Sequence, residues 1–382
     1  MKKKSILVIT GTRAEYGLLY ETIQALQKSQ RLSMRLLVTG MHTVRKYGYT
    51  LQGIRRDNIP IACVVPIHEH DTMLQAFAKE VLGIDAYCVK TRPDMILVLG
   101  DRGEPLAGAV VAANLNIPVA HIHGGDTSGI TTADELVRHS ITKLSHLHFP
   151  VSPASAKRLR ALGEESWRIH MLGAPGIEHI ASARFPSRAA VARKHGLDPQ
   201  KQWILVVHHP TPFEKVPMEK QIRPLLSSLT SQQRHEEKII VYPNTDTGSA
   251  VFIREIDRVR NEPRVHVYPN LERDEYLHLF RHSACIIGNS SSGIIESTPL
   301  HVPSITIGSR QDGRSRGKNV ISASYDASSI ERALRKALGA TFASRTKNAK
   351  SPYGSGNVGS SIVKRLEKYV CDPRLFHKRV AS

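Results

Sequence analysis

The chain places its polar and small residues in short runs, each directly behind an apolar stretch. Gly11-Thr12-Arg13-Ala14-Glu15-Tyr16-Gly17 follows the apolar 6–9. Glycines permit a tight turn, a helix start offers unbonded amides, and Arg13 adds a full charge, a combination suited to phosphate. The same run also reads as a capped turn with a solvated arginine. Gly100-Asp101-Arg102-Gly103-Glu104 follows 94–99, where Asp101 is either an acid/base carboxylate or the N-cap of the next helix. His121-Ile122-His123-Gly124-Gly125-Asp126 comes next. Strand alternation puts both histidines on one side, as a metal pair or with His123 as an acid/base group. No carboxylate or thiol set stands at matching ligand spacing, so no metal is expected. Asp134-Glu135 then opens a stretch bearing Arg138, His139 and Lys143. Asp134 reads there as catalytic, as a dipole partner, or as half of an i,i+4 pair with Arg138.

The second half repeats the arrangement. His208-His209-Pro210 closes one apolar run, and 242–249, containing Asn244 and Asp246, closes another. The run 285–296 passes through Gly288-Asn289-Ser290-Ser291-Ser292-Gly293 to Glu296. Serine hydroxyls and unhindered amides at a helix start can cradle a diphosphate, and Glu296 one turn on can accept from ribose hydroxyls. The competing reading is a serine-rich capping loop. Gly308 to Arg314 follows the next apolar run and adds the guanidiniums of Arg310 and Arg314 on the same side. The turn at 11–17 lacks GxGxxG and the Walker lysine, which argues against nicotinamide and P-loop chemistry there.

The elements that must hold these loops are strands alternating with helices. Strands are expected at 5–10, 34–39, 62–66, 94–99, 119–123 and 149–151, then at 203–208, 238–242, 265–268, 284–287 and 303–307. Helices are expected at 15–27, 72–82, 105–113, 134–147, 216–231, 249–260, 273–282, 293–297, 327–338 and 361–369. Continuous apolar runs alternating with amphipathic ones predict parallel sheets covered on both faces. The pattern restarts near 173, which predicts two α/β domains, 1–172 and 173–356. Segment 346–360 reads as a polar, Gly-rich linker.

Lys plus Arg number 53 against 34 Asp plus Glu, a net charge of +19. The basic residues are dispersed and aromatics make up 5%, so neither a nucleic-acid stacking platform nor an RNA motif is present. The apolar runs fall well short of the ~20 residues a membrane span needs, so no membrane insertion is expected. Cys63, Cys88, Cys285 and Cys371 show no CxxC spacing, and the expected compartment is the cytoplasm.

In order, GTRAEYG, GDRGE, HIHGGDTSG, DELVRHSITKLSHLHF, NTDTGS, GNSSSGIIES and GSRQDGR resemble the hydrolysing UDP-N-acetylglucosamine 2-epimerases, which begin sialic- and legionaminic-type sugar synthesis. The likeness covers about residues 5 to 320. It implies a glycosyltransferase B-type fold, two Rossmann-like domains with an interdomain cleft, in which the C-terminal piece, 357–382, packs back on the first domain. It implies a nucleotide-sugar substrate, UDP as product, no cofactor and a homo-oligomer, dimer or tetramer. Carried over by position, Asp101 and Asp134 would be catalytic, and His209 would sit near the leaving diphosphate. Arg13, Ser290, Ser291, Ser292 and Gly293 would hold phosphates, Glu296 the ribose, and Asn244, Asp246, Arg310 and Arg314 the nucleotide side. The chain departs from many relatives in carrying His123 where they have a glutamate implicated in proton transfer, and a histidine can do acid/base work near neutral pH. The default substrate is UDP-GlcNAc. A UDP- or GDP-linked 2,4-diacetamido-2,4,6-trideoxyglucose and a glycosyltransferase of the same fold are the alternatives. Non-hydrolysing epimerases usually show GTRPE and HVEAG-type segments, and this chain has GTRAE and HIHGG.

Overall fold

A computed structural model describes residues 2–127, 133–232, 234–243 and 247–379. They form two α/β units, each built on a six-stranded, all-parallel sheet. In the first, β1 (Lys4–Thr10), β2 (Leu32–Val38), β3 (Ile61–Val64), β4 (Met95–Leu99), β5 (Val119–Ile122) and β6 (Leu147–Phe149) lie in the order β3-β2-β1-β4-β5-β6. In the second, β7 (Trp203–Val207), β8 (Glu237–Val241), β9 (Val265–Tyr268), β10 (Cys285–Gly288), β11 (Ser304–Ile307) and β12 (Val320–Ala323) lie in the order β12-β11-β10-β7-β8-β9. Both are the doubly wound arrangement that the alternating pattern predicts. In each sheet the chain reverses direction of travel between the first and fourth strands, at β1/β4 and at β7/β10, where such folds bind ligands beyond the carboxyl ends.

The apolar runs explain why both faces are covered. Along β1, Ile6 and Val8 join a core with Leu19, Ile23 and Leu26 of the helix Arg13–Lys28, while Leu7 and Ile9 join another with Ile84, Ala107 and Val111. Along β7, Ile204 and Val206 pack with Leu225 and Phe252, and Trp203 and Leu205 with Phe280. A strand with helices on both sides needs apolar residues at every position, not at alternate ones.

Of the described residues, the first unit gathers those up to His179 and those from Tyr353 onward, and the second holds Ile180–Pro352. The first therefore runs a few residues past 172, because the helix Pro175–Ser182 is tied to it: Glu178 accepts from the Gly359 amide. The returning helix, Val358–Tyr369, packs its Ile362, Val363 and Leu366 into the β1 core. It approaches so closely that a Cβ on Gly359 would lie 2.8 Å from the backbone of Glu21 and Thr22. Beyond it, Lys378 Nζ donates to the carbonyls of Lys143 (2.8 Å) and Ser145 (2.7 Å), at the end of the helix Ala133–Leu144.

Some expected elements shift. The strand expected at 149–151 is β6, at Leu147–Phe149. His148 sits buried in its middle because Glu164 meets Nε2 at 2.9 Å. The strand expected to run to 123 stops at Ile122, because His123 adopts a left-handed φ of +68°. β12 and the helices Leu51–Arg56, Pro153–Ala161, Pro175–Ser182, Arg188–His195 and Ala340–Lys347 were not foreseen from the pattern. The last of these runs into the stretch read as linker, where Tyr353 is buried. The helix expected at 293–297 is a single turn, Ser292–Ile295. Among the described residues no helix is long and apolar enough to cross a membrane.

Candidate active site

At the β1/β4 switch point, Thr12 caps the helix Arg13–Lys28 by accepting from the Glu15 amide, which puts Arg13 at its first position. Behind this turn the structure buries three glutamates that spacing alone did not single out. Glu104 passes so close that a Cβ on Gly11 would lie 2.4 Å from its Cδ and one on Gly40 2.5 Å from Oε1. Glu15 accepts from the Gly11 amide at 3.0 Å. Burial, then the neighbouring Glu104, pushes the Glu15 carboxyl up to about 8, and the same two causes push Glu80 to about 8. Arg102 meets Glu104 at 3.3 Å.

The elevated Glu15 has a consequence for stability. The folded protein keeps this proton up to about pH 8, while an unfolded glutamate loses it near 4.5. Between those values the native state binds the extra proton, so stability falls as pH rises from 4.5 toward 8 and levels off above. Glu15→Gln, which has no proton to lose, is expected to flatten this slope and to be more stable at pH 8 by a few kcal/mol. Thermal unfolding of both proteins across pH 5–9 checks this, with Glu80 leaving some residual slope. Parallel curves would place the pH dependence elsewhere.

Asp101 follows Gly100 at the end of β4, and its carboxylate is ion-paired with Arg138. It does not cap the next helix. That helix starts at Gly103, with Arg102 at the cap position and no side-chain cap bond. Arg138 is 4% exposed and also donates to Glu135 (3.0 Å) and to the Asp126 carbonyl (3.0 Å). Asp134 lies exposed in the first turn of the same helix, Ala133–Leu144. One helix thus supplies Asp134 and the guanidinium that grips Asp101.

The two histidines of HIHGG part company. His121 is buried, bonds the Gly100 carbonyl through Nε2 at 2.8 Å, and is pushed down to about 3 by burial. It is a neutral brace between β4 and β5. His123, past the strand end, turns its Nδ1 to Asp126 Oδ2 at 3.0 Å.

In the second unit, Asn289 after β10 ties the two strand ends together. Its Oδ1 accepts from the His209 amide (2.7 Å) and its Nδ2 donates to the His209 carbonyl (2.8 Å). Burial, then Arg310, pushes His209 down to about 3, so it is neutral at pH 7. Ser290 and Ser292 share a hydroxyl contact of 3.0 Å, and Tyr276 meets Ser292 at 2.6 Å. Ser291 and Gly293 complete this loop, and a Cβ on Gly293 would lie 2.9 Å from Ser304 Oγ. Glu296 is buried and ion-paired with Arg273 through Oε1, while its Oε2 is buried with no hydrogen-bond partner among the described residues. Arg310 donates to the Asn289 carbonyl at 3.3 Å, and Arg314 lies half-buried in the same segment. Asn244 and Asp246 lie outside the described residues.

The structure thus brings Asp101, Asp134 and His123 into the loops and first helical turn beyond β4 and β5. It brings His209, the serine loop, Glu296 and Arg310 together around the β7/β10 switch. Spacing offered Arg138 only as a partner of Asp134, not of Asp101, and missed Asp126, Asn289, Arg273 and Tyr276. Arg138 and Asn289 stood inside the motifs, but Arg273 and Tyr276 come from a helix with no motif of its own.

A family model described as UDP-N-acetylglucosamine 2-epimerase matches residues 24–367. A Legionella pneumophila protein named UDP-N,N'-diacetylbacillosamine 2-epimerase (hydrolyzing) is 37% identical over 339 residues, 88% of this chain and 89% of that one. A Neisseria meningitidis serogroup B protein named UDP-N-acetylglucosamine 2-epimerase is 33% identical over 87% of each chain. The crystal structure of a UDP-GlcNAc 2-epimerase from Neisseria meningitidis bound to UDP-GlcNAc aligns with a TM-score of 0.82, covering 95% of this chain and 100% of that one. At 18% identity that last likeness concerns the fold.

Proposed function

Since the chain belongs to the UDP-N-acetylglucosamine 2-epimerase family, we propose that it is a hydrolysing 2-epimerase, which converts UDP-GlcNAc and water to the free 2-epimer and UDP. The observation that carries this is the buried Oε2 of Glu296, without a hydrogen-bond partner among the described residues, one helical turn past the Ser290–Ser292 hydroxyls at the β7/β10 switch. An unbonded buried carboxylate oxygen is costly unless a ligand donor satisfies it, and a ribose hydroxyl is such a donor. In this reading the serines, Gly293, Arg310 and Arg314 hold the diphosphate, and Arg13 is assigned to phosphate binding. Asn244 and Asp246 belong to the nucleotide side.

The chemistry has two halves. A base takes the proton from C2, the C2–H electron pair becomes the C1=C2 double bond, and the C1–O pair leaves with UDP. Water then adds its hydroxyl to C1, and C2 receives a proton on the opposite face. Acid/base groups are therefore needed on two faces of one ring, and Asp101, His123 and Asp134 are assigned to them. Neutral His209 donates a hydrogen bond to the leaving diphosphate, a role that needs no net charge.

A second substrate, the UDP-linked 2,4-diacetamido-2,4,6-trideoxy sugar, is favoured by the 37% identical relative that bears its name. The protein is assigned to the cytoplasm on its four free cysteines, which suit a reducing compartment. A homo-oligomer, dimer or tetramer, is assigned on the exposed Met73, Leu74, Leu82 and Val89 of the helix Met73–Thr91.

The test is incubation of each nucleotide sugar in heavy water, followed by NMR. Free manno-configured sugar deuterated at C2, together with UDP, is the expected product, and the sugar turned over identifies the substrate. Retention of the C2 hydrogen, or no release of UDP, would sink the reading.

A further inference from the structure

His123 is held in a way that a solvated or purely structural histidine does not require. Its φ of +68° lies in the left-handed region, which costs a non-glycine residue of order 1 kcal/mol or more. Its Nδ1 faces Asp126 Oδ2 at 3.0 Å, while its Nε2 is buried with no hydrogen-bond partner among the described residues. Asp126 is itself buried and anchored. The Ser155 hydroxyl meets its other oxygen at 2.6 Å, Ser152 meets Ser155 at 2.8 Å, and Arg138 holds its backbone carbonyl. Ser152 is in turn the N-cap of the helix Pro153–Ala161, so the chain of contacts ends on a fixed element.

An ionised carboxylate only accepts hydrogen bonds, so Nδ1 must carry the proton and a neutral ring leaves Nε2 with its lone pair free. We propose that Asp126 is a positioning residue that fixes His123 in this tautomer, making Nε2 the base that removes the C2 proton. This deepens the function proposed above and rests on it. When Nε2 takes the proton, the C2–H pair goes into the C1=C2 bond and the C1–O pair departs with the diphosphate. The imidazolium that forms is stabilised by the Asp126 carboxylate. Of the acid/base candidates, His123 thus acts in the first half of the reaction.

Asp126→Asn tests the assignment. With its amide oxygen kept against the Ser155 hydroxyl, the substituted side chain turns its NH₂ toward Nδ1, which forces the proton onto Nε2. The expected result is a fall in kcat of about 100-fold or more with KM within about threefold. Alongside it, ¹⁵N NMR of histidine-labelled protein, with the His123 signal assigned by its loss in His123→Gln, reads the tautomer without substrate. Wild type is expected as Nδ1–H and Asp126→Asn as Nε2–H. Wild-type His123 carrying its proton on Nε2 overturns the proposal, and this holds even if the variant does not fold. So does a folded Asp126→Asn with wild-type kcat. A wild type that releases no UDP from either nucleotide sugar defeats the proposed reaction instead, while the tautomer still reports the contact.

Discussion

Asp101→Asn is expected to lower kcat by about 10³-fold or more, with KM changed only a few-fold. A positioned acid/base group contributes roughly 10² to 10⁴ in rate, and this one stands where the fold presents ligands. Asp101 is 28% exposed, whereas its partner Arg138 is 4% exposed. The carboxylate can therefore reach a substrate while the guanidinium behind it stays fixed. Asparagine keeps the shape but cannot take a proton, and it leaves Arg138 paired with Glu135. A change in KM of the same size as the change in kcat would instead indicate lost binding. Asp134→Asn is the companion variant, since the second face of the sugar needs its own group. Turnover near wild type in both would end the acid/base scheme. Thermal unfolding run in parallel separates lost chemistry from lost structure.

Gly288→Ala is expected to cripple the second unit as a folded body. Gly288 ends β10 opposite Val207 of β7, with φ at +141°. A Cβ there would lie 2.0 Å from the Val207 carbonyl oxygen and 2.5 Å from its carbon. Backbone in a sheet cannot step aside, so the two strands must separate at the point where the serine loop begins. Overpacking plus left-handed strain gives about 3–6 kcal/mol, a large part of the usual 5–15 kcal/mol of stability. In a unit of this size that is a Tm lower by roughly 10–20 °C. UDP binding, read by calorimetry, is expected to weaken with it. A Tm within a few degrees of wild type would mean that the β7/β10 contact is looser than its geometry states.

The strands were largely legible because they are buried on both faces and their residues spell that out, as 94–99 and 203–207 do. β12 escaped because it lies at the sheet edge, with Ser322 exposed and Val320 and Ile321 half-buried. Helix Arg188–His195 escaped because its charged residues spread around it and little of it faces a core. In the site, the motif residues were visible and their supports were not. The pairing of Glu296 with Arg273, or of Asp126 with Ser155, joins positions that no local spacing connects. His123 and His121 look equivalent at a spacing of two, and only the left-handed turn at His123 separates their roles. The buried Glu15, Glu80 and Glu104 were unreadable for a related reason, since a glutamate in sequence carries no sign of how deeply it will be placed.

The return of residues from Tyr353 onward to the first unit bears on how the protein is made. A ribosome completes the second unit's chain, Ile180–Pro352, in one continuous stretch. It supplies the first unit in two instalments separated by that stretch. At about 5–20 residues per second, the opening strand waits on the order of 20–70 s for the helix Val358–Tyr369, which shares a core with Leu19, Ile23 and Leu26. During that interval one apolar face of the helix Arg13–Lys28 has no cover. Order of synthesis and order of completion are therefore reversed, and the nascent chain is most vulnerable to aggregation in its first unit.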